Sequence, residues 1–220
     1  VEIAPNSELD YIGNFAFSSS SIEKFFIPSK ITSISEYTFS DCKQLKIVEI
    51  SPNSNIQSIN KYAFYGSSIE TLYLPSCAFE LKDGWCAGTN KLTKIIVMPA
   101  KQHNISCHQN KMIIKKSNIN NDDYDILVFC CRNAKEVKIP KNIKKIGSFA
   151  FAYSLMENIL IPNQVTHICE NAFFYCNKLK KVEISANSEL QIIGKEAFSY
   201  ASIESICIPV HVTKICKSAF

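Results

Sequence analysis

The sequence predicts an α/β fold: a right-handed solenoid with a parallel β-sheet face and short helical turns, interrupted by a β-hairpin island. Three observations lead there. One phrase recurs at fixed spacing, apolar residues next to it alternate with the period of a strand, and a central stretch breaks both patterns.

The recurring phrase is an isoleucine followed five residues later by phenylalanine, usually with alanine just before it. It reads IGNFAF ending at Phe17, ISEYTF at Phe39, INKYAF at Phe64, IGSFAF at Phe151, ICENAF at Phe173, IGKEAF at Phe198 and ICKSAF at Phe220. Successive phenylalanines lie 22 and 25 residues apart on the left, then 22, 25 and 22 on the right. Repeats of this length are the signature of stacked architectures. Between these phrases sits a second one with two forms. The short form ends in Ile-Pro or Leu-Pro (FFIPSKITSI, ILIPNQVTHI), and the long form is VEISPNSNIQSI or VEISANSELQII. Their alternation explains the two spacings. Residues 1–17 match residues 182–198 at 11 of 17 positions, so the duplication is internal.

Each piece has a physical reading. In Leu45, Val48, Ile50 and in Leu179, Val182, Ile184 the last two apolar residues alternate, with the β-branched preference of strands. Proline after the strand lacks a donor and ends it. The following Val/Ile-x-x-Ile, as in Val165 and Ile168, forms a second short inward piece. Glycine at 13, 147 and 194 suits a tight bend before a short helical turn, in which alanine permits close approach and phenylalanine fills the core. One coil offers about six inward apolar groups worth roughly 2–3 kcal/mol each. Ordering its residues costs on the order of 1.5 kcal/mol apiece. A lone coil therefore does not fold, and stacking is what buries its open faces.

From Ser76 to Asn133 the pattern decays. CAFELKDGWC keeps register, with Cys86 where phenylalanine is expected, and LTKIIVMP supplies the next strand. Beyond it, two strand-like runs, Met112–Lys115 and Asp125–Cys130, flank an Asn/Asp-rich loop and read as a β-hairpin. The expected organisation is a repeat block over 1–99, a hairpin insertion over 100–133 and a second repeat block over 134–220, forming one continuous solenoid. A linker between two independent solenoids is the alternative. The chain starts partway through a strand phrase and ends on a core phenylalanine, without capping segments, so it reads as a piece of a longer array.

These phrases resemble the BspA-like (Treponema pallidum-type) leucine-rich repeat family. Its pattern is similar to Leu-x-x-Ile-x-Ile-Pro-x-x-Val-x-x-Ile-Gly-x-x-Ala-Phe-x-x-Cys, which residues 156–176 follow nearly throughout, departing at Cys169 where glycine is usual. The segment NKMIIKKSNINNDDYDILVFCC resembles the hairpin that such proteins carry between repeat blocks. The resemblance implies a leucine-rich-repeat solenoid on a cell-surface or secreted protein of mucosal bacteria or protozoan parasites, an adhesin or antigen for host or microbial ligands. It implies no catalytic residue.

The strand phrase leaves two outward positions per coil. One ladder runs Phe26, Glu49, Tyr73, Lys138, Leu160, Glu183 and Cys207. The other runs Lys24, Ile47, Thr71, Glu136, Asn158, Lys181 and Ser205. Inward positions barely vary in type, whereas these vary freely, so this face is the expected binding surface. The rival sites are a loop face or the hairpin. The expected partner is a protein or glycan, and the alternative role is a secreted or intracellular interaction scaffold or effector.

Charge narrows the classes only modestly. Net charge is +4. Residues 1–110 hold nine basic against ten acidic side chains, and residues 111–220 hold fifteen against ten. Basic residues are not interleaved with aromatics as a nucleic-acid site requires. No run of eighteen apolar residues is present for membrane insertion by this segment, and the first residues lack the pattern of a secretory signal.

Other chemistry is weakly supported. Paired carboxylates for a polysaccharide hydrolase are not suggested by Glu49, Glu136 and Glu183. A cysteine nucleophile paired with His167 or His211 has no supporting spacing. His103, Cys107 and His108 with Cys130 and Cys131 fit no zinc spacing, and Asn121–Asp125 lacks the glycine and distal glutamate of a calcium loop, so neither metal nor cofactor is expected. Stacking places Cys169 and Cys216 roughly 10 Å apart, beyond disulfide reach. With Cys42, Cys176 and Cys207 they are expected as thiols, while Cys77, Cys86, Cys107, Cys130 and Cys131 leave one or two bridges conceivable. Asn104-Ile105-Ser106 is an N-glycosylation sequon placed in a loop.

Overall fold

The computed structural model describes residues 2–4, 7–51, 53–78, 80–99, 103–118, 120 and 122–220. Parts of the opening phrase (Val1, Pro5, Asn6), the expected start of the insertion at Ala100, and Asn121 of the acidic loop lie outside the described residues. The fold is a parallel-strand β-solenoid of about eight turns. The chain divides into two compact units, Val1–Lys111 and Met112–Phe220.

In the first unit three successive coils contribute a long and a short strand each, and a fourth long strand follows them. The long ones are β1 (Lys24–Ile27), β3 (Ile47–Ile50), β5 (Thr71–Pro75) and β7 (Lys94–Met98). The short ones are β2 (Ser33–Ile34), β4 (Ser58–Ile59) and β6 (Glu80–Leu81), and β8 (Ile105–His108) follows β7. The long strands form a parallel sheet in the order β1-β3-β5-β7, and the short ones pair as β2-β4-β6. Strand alternation sets what is inside: Phe25, Ile27, Val48, Ile50, Leu72, Leu74 and Ile95 are all buried. Pro75 is the last residue of β5, opposite Met98, whereas Pro28 stands just past β1.

The second unit begins with β9 (Met112–Lys116) and β10 (Tyr124–Cys130), an antiparallel pair with register shifts near Ile126 and Phe129. β10 also pairs in parallel with β11 (Lys145–Ile146), Leu127 opposite Ile146. The ladder continues through β13 (His167–Ile168) and β15 (Ile192–Ile193) to β16 (Lys214–Ile215). The second strand of the hairpin, β10, thus stands where a coil's short strand would. The long strands β12 (Asn158–Ile161) and β14 (Lys181–Ile184) pair over four residues each.

The core of each unit is a stack of aromatic rings. Phe17, Phe39 and Phe64 are stacked with nearly parallel rings at 5.5 and 5.4 Å, and Phe151, Phe173 and Phe198 at 4.9 Å each, with Phe220 following at 5.5 Å. Cys86 occupies the phenylalanine position of its coil and is buried, and the missing volume is filled from the preceding residue: Trp85 packs edge-on against Phe64 at 6.4 Å.

The expected short helical turns are not formed; no helix occurs among the described residues. Hydrogen-bond direction explains why. At the turn leading to Phe151, the N–H groups of Ala150, Ala152 and Ser154 donate back to Gly147, Phe149 and Phe151, whereas those of Phe149, Phe151 and Tyr153 donate forward to Glu170, Ala172 and Phe174 of the next coil. A helix directs every donor along its own turn, four residues back, and would leave the next coil's carbonyls unpaired. The alternation requires left-handed residues at intervals, and Phe149 (φ 58°) and Tyr153 (φ 63°) supply them here, as Phe15, Tyr37 and Tyr62 do in the first unit.

Glycine's role is also different from a bend. Gly194 does not have a positive φ; a Cβ there would lie 2.6 Å from the carbonyl carbon of Cys169 and 2.7 Å from the backbone nitrogen of Glu170. Its lack of a side chain permits backbone contact between coils, and N–H of Gly194 donates to Ile168 at 2.7 Å.

Candidate functional site

Because the inward residues of the long strands are committed to the core, the alternate ones face out, and parallel pairing aligns them. β1 and β3 pair Lys24 with Ile47 and Phe26 with Glu49; β3 and β5 pair Ile47 with Thr71; β5 and β7 pair Thr71 with Lys94 and Tyr73 with Ile96. In the second unit Asn158 pairs with Lys181 and Leu160 with Glu183, and an isolated bridge joins Lys181 to Ser205. Lys94 and Ile96 extend the first unit's face beyond the residues read from sequence. They were legible in LTKIIVMP, which the loss of repeat phrasing around it obscured.

Glu136 and Lys138 are exposed but belong to no strand, so the ladder positions assigned to them are surface positions without sheet neighbours. Lysines cross-link the rows: Lys24 reaches Glu49 at 2.9 Å across β1 and β3, and Lys181 reaches Glu183 at 2.6 Å along β14. All four side chains are well exposed, so these pairs contribute at most about 1 kcal/mol to stability. Large apolar side chains stand among them, with Phe26 44% and Leu160 59% exposed. Beside β1 an open groove of about 1210 Å³ is lined by Ile3, Ser21, Lys24, Phe26, Pro28 and Ser51, among others.

The remaining candidates are placed differently. All ten cysteines are thiols. Cys42 and Cys176 donate to the carbonyls of Phe17 and Phe151 at 2.9 and 3.1 Å, and burial pushes the Cys176 thiol up to about 12. Burial also raises the pKa of Cys107, whose thiol points to the carbonyl of Ile95 at 3.6 Å. His103 lies 3.3 Å from the hydroxyl of Ser76, and among the described residues no three His, Cys, Asp or Glu side chains converge as a metal site needs. Asp125 of the acidic loop is instead a clip across the hairpin, accepting from the backbone N–H and the hydroxyl of Ser117, both at 2.8 Å. His167 is held below its usual pKa by burial and by Lys145, its Nδ1 at 2.8 Å from the Thr166 hydroxyl.

Asn104 is 5% exposed and its amide nitrogen, the atom a glycan would take, donates to Cys77 O at 3.4 Å. Among the described residues no helix is long and apolar enough to cross a membrane.

Comparison with known proteins agrees with the repeat reading. Residues 10–128 and 105–220 match the family described as BspA type leucine rich repeat region, in six copies. Among solved structures the chain is similar to the pneumococcal vaccine antigen PcpA, with a TM-score of 0.81 at 23% identity over 96% of this chain and 51% of that one. It is also similar to a leucine rich cell surface protein of Faecalibacterium prausnitzii A2-165, with a TM-score of 0.76 at 21% identity over 93% of this chain and 55% of that one. The chain therefore spans about half the length of these two structures. No curated protein sequence matches it.

Proposed function

Since the chain belongs to the BspA-type leucine-rich repeat family, we propose that it is a cell-surface or secreted binding module of the antigen or adhesin kind. It recognises a host or microbial protein or glycan through the outward face of its long strands. Proteins of this repeat family are typically non-enzymatic binding scaffolds, and the reading assigns no catalysis to this chain. A surface location is in keeping with the Faecalibacterium structure, which is described as a cell surface protein.

The observation that carries the reading is the contrast between the two sides of one sheet. Phe25, Val48, Leu72 and Ile95 keep one chemical type inside, while Phe26, Glu49, Tyr73 and Ile96 on the other side differ from strand to strand. An aromatic anchor among mixed charges, beside an open groove, is the composition of a recognition surface.

The test is a screen of the chain against immobilised matrix proteins and a glycan array. The first-identified ligand is then measured against a Lys24→Glu, Glu49→Lys, Lys138→Glu variant and a Phe26→Ala, Tyr73→Ala variant. Loss of affinity by about tenfold or more is expected in at least one. Unchanged binding in both variants rejects the sheet face.

A further inference from the structure

We propose that the short-strand face of the second unit is a separate interaction surface, a row of cations that takes an extended sulfated polysaccharide. It does not rest on the long-strand face, and substitutions in one leave the other intact.

The row follows from register. β11, β13 and β15 each bury their second residue, Ile146, Ile168 and Ile193. Their first residues stay at the surface, Lys145 exposed and His167 and Ile192 partly so. Parallel pairing sets Lys145 opposite His167, His167 opposite Ile192 and Ile192 opposite Lys214. On the other side Ile126 lies opposite both Lys145 and Lys115, so the hairpin continues the row. Paired residues share a face, so Lys115, Ile126, Lys145, His167, Ile192 and Lys214 form one line across β9, β10, β11, β13, β15 and β16. At about 4.8 Å per strand this line runs for roughly 24 Å. Lys144 is exposed next to Lys145 and adds a second charge on that coil.

The charge is uncompensated. Lys24 and Lys181 on the long-strand face and Lys195 on the turn edge each hold a carboxylate, at 2.9, 2.6 and 3.2 Å. Among the described residues Lys115, Lys144, Lys145 and Lys214 hold none. Asp125 on β10 is buried and engaged by Ser117. Glu189 stands off the row, in an open depression of about 380 Å³ with Gln191, His211 and Thr213. Burial, and then the charge of Lys145, hold His167 below its usual pKa, as expected where no carboxylate answers the lysine. The repeat does not impose this pattern. The equivalent row of the first unit is Ser33, Ser58 and Glu80, with Lys82 paired to Glu80 at 2.7 Å.

Composition and spacing select the partner. Lys115 and Lys145 are two strand spacings apart and Lys145 and Lys214 three, about 10 and 14 Å. Ile126 and Ile192, both half-buried, lie between them. A sulfated sugar chain presents the matching alternation, anionic substituents separated by the apolar C–H faces of its rings. Single-stranded nucleic acid calls for aromatic platforms, and the row has none. Duplex DNA calls for a helix or a two-stranded ribbon in its major groove, which a broad sheet face does not supply. An anionic bilayer calls for apolar side chains that project beside the basic ones, and the isoleucines do not project.

The test measures binding of the whole chain to a heparin octasaccharide by titration calorimetry, at about 50 and about 200 mM salt. A desulfated, N-acetylated counterpart, a short oligo(dT) and phosphatidylserine vesicles are run beside it. A Lys145→Glu, Lys214→Glu variant is compared with a Lys61→Glu, Lys91→Glu variant, which makes the same charge change at exposed positions of the first unit. A Lys145→Gln, Lys214→Gln variant carries the comparison if the reversed charges disturb folding. The octasaccharide should bind and its desulfated counterpart should not, and affinity should fall roughly tenfold between the two salt concentrations as counterions are released. The row variant should lose about tenfold or more in affinity, the glutamine variant less, and the first-unit variant less than about twofold, with unfolding midpoints unchanged in all. The proposal is overturned if the octasaccharide does not bind, if the desulfated form binds as well, or if the first-unit variant loses as much as the row variant. Tighter binding of oligo(dT) or of the vesicles, lost in the row variant, overturns the choice of partner.

Discussion

The thiol of Cys176 donates to the carbonyl oxygen of Phe151, one coil back, at 3.1 Å. Serine stands at the same position at Ser20, Ser67 and Ser154, and Ser67 donates to Phe64 O at 2.9 Å within its own coil. The position therefore takes a small side chain, alanine at Ala201 included, and at Cys176 and Ser67 that side chain also donates a hydrogen bond. Cys176→Ala should lower the unfolding free energy by about 1–2 kcal/mol through a lost hydrogen bond and lost packing, and Cys176→Ser by less. Urea unfolding midpoints check the order.

The same thiol gives a pH dependence. Burial raises its pKa from an ordinary value near 9 to about 12 in the folded chain. Between those values the unfolded chain has lost the proton and the folded chain still holds it, so stability falls as pH rises through that window and is fully present below it. The unfolding free energy of the parent should fall more steeply from pH 9 to 11 than that of Cys176→Ser. Parallel curves for the two would contradict the assignment.

Coil contact at Gly194 is backbone to backbone, with no flexible side chain able to move aside. Gly194→Ala should cost about 1–3 kcal/mol by overpacking. Gly13→Ala should be nearly neutral, because a Cβ there meets nothing nearer than the Tyr11 ring at 3.7 Å. Thermal unfolding of the two variants separates close approach from bending: a bend would penalise both.

Arg132 is fully buried, donating to Ala150 O at 2.7 Å and Phe149 O at 3.0 Å, with its guanidinium 4.5 Å from the centre of the Phe129 ring. It ties the segment after β10 to the first turn of the second unit. Arg132→Ala should cost roughly 3–5 kcal/mol, as truncation of a large core side chain does. Arg132→Lys should recover only part of that, since an ammonium lacks the planar fork that reaches two carbonyls at once. Amide exchange should show the loss concentrated in β10 and β11.

Phe39 and Phe15 test core against surface within one stack region. Phe39 is buried between Phe17 and Phe64, whereas Phe15 is 57% exposed. Phe39→Ala should cost about 3–5 kcal/mol and Phe15→Ala less than about 1 kcal/mol. Denaturant unfolding would read both; equal losses would mean the outer ladder carries the fold as much as the inner one.

By itself the sequence determined the repeat, its two spacings, the inward set of aliphatic and phenylalanine residues, and the outward rows from Lys24 to Thr71 and from Asn158 to Lys181. These follow from periodicity, a property of the chain that burial of one face enforces at every coil. Tertiary structure alone decided where the turn donors go, and so that the turns alternate between their own coil and the next instead of forming helices. It also decided that Trp85 fills the space beside Cys86 and that Asn104 is buried. Each of these depends on what the neighbouring coil places opposite a residue, which no local spacing records.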